Sequence, residues 1–163
     1  MISKKLLCVV AGVLVISSTT TVAQLQTKTV SNPSGAEQAV QARLAEIQTA
    51  AESLDPEKVF SFVCENDKGA LIQNGEFLLT REEALQATKR GFENLDKITY
   101  RFDQQHTTLL SPTIALATAE GMSSVTTKNG RTFSSKFAQS VVLILADGEW
   151  KVFHAHRSFP PAN

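Results

Sequence analysis

Past Lys97 the chain changes period. Before that point apolar residues recur every three or four positions; beyond it they alternate, in four runs separated by turn signals. "ITYRFDQQHTTLL" turns at Ser111-Pro112, "TIALATAEGMSSVTT" at Asn129-Gly130 and "RTFSSKFAQSVVLILA" at Asp147-Gly148. "EWKVFHAHRSF" stops at Pro160-Pro161. Strands joined by such short connections must be antiparallel neighbours. The second half of the chain is therefore a four-stranded meander, which must bury one face against something else.

The first half supplies that cover. Ser34 and Glu37 have capping-box spacing, so each side chain can satisfy the other's free backbone N–H. Ala36, Val40, Leu44, Ile47, Ala51 and Leu54 then make one apolar stripe at helical spacing. Asp55-Pro56-Glu57 opens a second, short helix carrying Val59, Phe60 and Val63. "GALIQ" and "EFLL" flank Asn74-Gly75 as a hairpin. Thr80 and Glu83 cap a third helix, with Leu85, Thr88, Phe92 and Leu95 inward. Helix, helix, hairpin, helix and meander make an α+β domain.

The ends are different. In "MISKKLLCVVAGVLVISSTTTVAQ" two lysines precede an apolar run from Leu6 to Ile16, and small residues follow it up to Ala23. That is the layout of a secretory signal peptide. The run is far below the roughly 20 residues that span a bilayer. Residues 1–23 are expected to be removed on export to the periplasm or the cell exterior, with no membrane contact afterwards. Residues 24–33 read as a flexible linker and 34–161 as one domain. Loss of Lys4 and Lys5 changes a balance of 16 basic and 16 acidic residues to a net charge of −2. No basic stripe gathers on one element, so no nucleic-acid partner is expected. The exported chain keeps one cysteine, Cys64, and cannot close an internal disulfide. It reads as a buried apolar residue.

This order of elements resembles the nuclear transport factor 2-like proteins. The resemblance implies three N-terminal helices packed on a strongly curved antiparallel sheet, a cone. The ending "DGEWKVFHAHRSFP", Asp147 to Pro160, is similar to the last strand of the SnoaL-like branch, which includes the calmodulin-dependent kinase II association domain. "LDPEKVFSF" and "LTREEAL" match the branch by pattern. The resemblance implies a ligand-binding pocket, a homodimer formed through the sheet, and relatives that include ketosteroid isomerase-like and polyketide cyclase proteins. It departs at Glu120 and Val141, which stand where the kinase hub has two pocket arginines. The isomerases' catalytic trio has no counterpart here, for Tyr100 is the single tyrosine.

The remaining candidates come from strand parity. Trp150, Val152, His154, His156 and Ser158 are expected on one face, with Arg157 opposite, in an ion pair with Glu65 or Asp67. Tyr100, Phe102, Gln104 and His106 share a face that runs from apolar to polar, as a cavity mouth needs. Gln139 interrupts the apolar set Phe133, Phe137, Val141 and Leu143, as a pocket group or a partner of His156. The expected pocket therefore comprises Tyr100, Phe102, Gln104, His106, Glu120, Phe137, Gln139, Trp150, His154 and His156. It suits a small apolar or amphipathic molecule, with no cofactor. As a rival, His154 or His156 with Glu120 is the candidate set for acid/base chemistry of the isomerase, dehydratase or cyclase type. A dimeric interaction module without ligand is the third reading. No metal site is expected: His106 lies three strand steps from His156, roughly 14 Å.

Overall fold

The computed structural model describes residues 34–160, all within one compact unit. The expected signal peptide, the linker and the last residue of the expected domain lie outside the described residues.

Local signals set the helices. α1 (Gly35–Glu52) opens on the Ser34 capping box: Ser34 N donates to Glu37 Oε2 at 2.6 Å, and Glu37 N donates to Ser34 Oγ at 3.2 Å. α2 (Pro56–Ser61) is capped by Asp55 Oδ1, which accepts from Lys58 N at 2.9 Å. β1 (Leu71–Gln73) and β2 (Glu76–Leu78) turn on Asn74 and Gly75, both with positive φ, as a type I′ turn requires. α3 (Arg81–Phe92) repeats the capping box with Thr80 and Glu83. Then follow β3 (Leu95–Ser111), β4 (Ile114–Thr127), β5 (Thr132–Ala146) and β6 (Glu149–Ser158).

The meander is antiparallel throughout, and the hairpin extends it. β1 lies beside β6 and parallel to it, giving one six-stranded sheet in the order β2-β1-β6-β5-β4-β3. The link begins before β1. Val152 N donates to Phe62 O and Cys64 N donates to Val152 O, both at 2.8 Å, so the chain leaving α2 is already pinned along β6.

α1 lies in the hollow of this sheet. Its backbone approaches β3 and β6 more closely than the two strands between them. On a flat sheet a helix about 10 Å wide would sit on the central strands, so the sheet bends around it. The inward positions of β4 make room: Ala115, Ala117, Ala119, Gly121 and Ser123 are all small. At one end the space closes on Val40, Leu143, Trp150 and Val152, a buried cluster joined by Leu44, Ile47 and Leu109. A second cluster, Phe60, Ala70, Ala84 and Leu85, packs α2 and α3 together.

Among the described residues, two of the sheet's four register shifts fall in the middle of long strands, where they add to the bend. On β3, Phe102 pairs with Gly121 and Gln104 with Glu120, so Asp103 is an extra residue. On β6, Val152 pairs with Leu143 and His154 with Val142, so Phe153 is extra. An extra residue bends a strand and reverses which face its later side chains take. The expected single face of Trp150, Val152, His154, His156 and Ser158 is therefore corrected. Trp150 and Val152 face α1, while Ala155 and Arg157 take the inward positions beyond the bulge and the two histidines the outward ones. β3 breaks in the same way. Tyr100 and Phe102 face inward; Gln104 and His106 do not continue that face.

Candidate functional site

Between α1, α3 and the middle of the sheet lies a cavity of 780 Å³, within the usual range for small-molecule sites. Leu44, Ile47 and Ala51 of α1 form one wall, and Ile98, Ala117, Val125 and Val141 of the sheet face them. Phe92 and Phe133 also line it, and Phe133 is more than half exposed.

Among the described residues, two charged groups in these walls come from the sheet, Glu76 of β2 and Arg157 of β6. Arg157 Nε and Nη2 donate to Gln139 Oε1 at 3.1 and 2.6 Å, and Nη1 donates to the Tyr100 hydroxyl at 3.2 Å. The guanidinium carbon lies 5.0 Å from the Tyr100 ring centre and 5.1 Å from that of Phe137, within cation–π range. Phe137 is buried and meets Tyr100 and Phe102 edge-on, at 6.0 and 5.4 Å. Among the described residues no carboxylate lies within 4 Å of Arg157. The expected surface ion pair is thus corrected: Glu65 pairs with Arg81 at 3.4 Å, and Arg157 is in the cavity because the Phe153 bulge put it there. Gln139 partners Arg157 rather than His156.

The other expected residues divide. Tyr100, Phe102 and Gln139 line the cavity, while His106 and His156 sit on the outward face and only border it. Trp150 is in the closed core at its end. His154 is committed elsewhere: its Nδ1–H donates to Gly69 O at 2.8 Å, fixing the loop before β1. Gln104 and Glu120, neighbours across β3 and β4, lie in a second, polar hollow of 350 Å³. Its floor carries Thr118, Ala138 and Ser140, and His106 and His156 border it as well. Among the described residues no carboxylate lies within 4 Å of any histidine, so the expected imidazole–carboxylate pair is not assembled.

A family model for the SnoaL-like domain matches residues 40–162. The chain belongs to the SnoaL-like domain family. Solved structures carry the same nuclear transport factor 2-like fold. A member of that superfamily from Salmonella enterica serovar Typhimurium matches with a TM-score of 0.70 at 14% identity, over 77% of this chain and 92% of its own. A ketosteroid isomerase-like protein from Erwinia carotovora atroseptica gives 0.67 at 16%, over 80% and 100%. A protein described as a calcium/calmodulin dependent protein kinase II association domain, from Xanthomonas campestris, gives 0.67 at 21%, over 76% and 87%. These identities speak for the fold alone. No curated protein matches the chain.

In this SnoaL-like domain the polar end of the cavity draws on residues that parity alone did not assign there. Arg157 is one; Gln48 of α1, which also lines the cavity, is another. A signal for the first was present in the sequence. Val152 and Phe153 are adjacent apolar residues, a break in alternation after which Ala155, Arg157 and Phe159 form the inward series. Cys64 takes no part in the cavity. Burial pushes its thiol pKa up, partly offset by the charge of Lys151, which disfavours the reactive thiolate.

Proposed function

We propose that this SnoaL-like domain is an exported binding protein that holds a small amphipathic anion in its cavity. The anionic head lies against Arg157 and the apolar body against the Leu44, Ile98 and Val141 walls. The observation that carries the reading is the state of Arg157: half-buried, with only neutral hydrogen-bond partners. Removing a charge from water without a counter-charge is costly. A guanidinium has five N–H donors, and three are used here, leaving two for a ligand. Its planar fork matches a carboxylate. Residues 1–23 direct export and are removed, and the outer sheet face pairs two copies.

Matched probes test the anion. Decanoate and decanol share an apolar body and differ at the head. Decanoate at about 100 times its Kd stabilises the domain by about 2.7 kcal/mol, a rise in Tm of roughly 10 °C for a domain of this size. Decanol is expected to give less than half of that. Equal shifts from both probes would show a merely apolar pocket. No shift from either would favour an interaction module. Native mass spectrometry of the exported protein checks the rest: a mass beginning at Gln24, in pairs.

A further inference from the structure

β3 is an edge strand, and an edge leaves backbone N–H and C=O groups without strand partners. At one residue, α1 supplies them. Tyr100 N donates to Glu52 Oε1 at 2.9 Å, and Gln48 Nε2 reaches Tyr100 O at 3.4 Å. Gln48 Nε2 also donates to the same Glu52 oxygen at 3.0 Å. Gln48 and Glu52 are four apart, one helical turn, on the last part of α1. They make a closed clamp on both backbone groups of one residue. That residue is the one whose hydroxyl accepts from Arg157 Nη1 and whose ring lies beside the guanidinium.

We infer that Glu52 is a positioning residue for the anion site: by pinning the Tyr100 backbone it holds the Arg157 guanidinium in place at the cavity wall. This rests on the reading of Arg157 given above. The chain of contacts is short and each link is a hydrogen bond. The Glu52 carboxylate holds the Tyr100 backbone, the Tyr100 phenol holds Arg157 Nη1, and Gln139 holds the other side of the fork. Without the clamp, the edge of β3 is free to draw away from α1 and take the phenol with it. Arg157 would then keep only Gln139 and swing over a wider arc, so a ligand must pay the entropy of ordering it.

The experiment has one readout with ligand and one without. Glu52→Ala removes the acceptor; Glu52→Gln keeps an amide oxygen at the same reach. Glu52→Ala is expected to weaken decanoate about tenfold, in line with one charge-assisted contact, with decanol unchanged within about twofold. Glu52→Gln is expected to restore decanoate binding. In ¹⁵N NMR the Arg157 Nε–H, identified by its loss in Arg157→Met, is expected to keep its wild-type shift in Glu52→Gln and to move toward the free-arginine position in Glu52→Ala. Equal weakening of both probes, or an Nε–H unmoved by Glu52→Ala, overturns the positioning role. Should Glu52→Ala not fold, Gln48→Ala opens the other half of the clamp and is held to the same two readouts. Failure of the anion reading looks different: Arg157→Met then leaves decanoate binding untouched, while the NMR arm still decides the clamp.

Discussion

Replacing Gly121 with alanine tests whether the β3 bulge is as tight as it looks. A Cβ built on Gly121 would lie 2.1 Å from Arg101 O, and 3.0 Å from both Arg101 C and Phe102 Cα. All three atoms are backbone, so no side chain can rotate to relieve the clash. The contact must open by about 1 Å to reach the 3.3 Å at which carbon and carbonyl oxygen normally meet in sheets. That displacement breaks the β3–β4 ladder where Phe102 faces Gly121. Two weakened ladder bonds at about 1 kcal/mol each, plus about 1 kcal/mol of overpacking strain, give a loss of about 3 kcal/mol. Tm would fall by roughly 10 °C. Gly91→Ala is the control. Nothing lies within 4 Å of its Cβ, and it sits in the last turn of α3, so alanine should stabilise by about 0.5–1 kcal/mol. Urea denaturation with both variants reads the two signs side by side. A Gly121→Ala variant within about 0.5 kcal/mol of wild type would refute the close approach, and with it the account of how β3 changes face at Asp103.

Further expectations concern the site and the core. Arg157→Met should lose decanoate binding by 10-fold or more, on the order of a charged hydrogen-bond pair, yet change stability by less than about 1 kcal/mol, because no carboxylate depends on it; a large stability loss in urea would mark it as structural instead. Leu143 is fully buried, so Leu143→Ala should cost about 3–5 kcal/mol, read by the same titration. The Cys64 thiol has a folded pKa raised by burial. Its neutral form therefore contributes stability in full below the unfolded thiol pKa, and that contribution is lost as pH rises through the folded one. Iodoacetamide at pH 8 should accordingly label Cys64 more slowly in the native protein than in urea, and equal rates would contradict the assignment.

Much of the fold could be read locally. The capping boxes at Ser34 and Thr80 span four residues each, the Asn74-Gly75 turn needs only two, and the meander follows from alternation and short connections. None of these depends on a distant partner. The site was less legible. Parity placed Tyr100 and Phe102 on one face, and they do line the cavity beside Gln139. It failed for His154, Arg157 and Gln104, because each follows a bulge.

What the sequence determined by itself is the set of elements, their order and their caps, since hydrogen bonds within a few residues suffice for those. What only the tertiary structure decided is which way the chemistry faces. A long strand must bend to stay paired around α1, and the bend is relieved by one extra residue whose position depends on packing across the whole sheet. Asp103 and Phe153 are those residues. Beyond them every side chain changes sides, which brings Arg157 into the cavity and leaves His154 on the Gly69 carbonyl. The clamp of Glu52 on Tyr100 joins residues 48 apart in sequence, and no local pattern could have announced it.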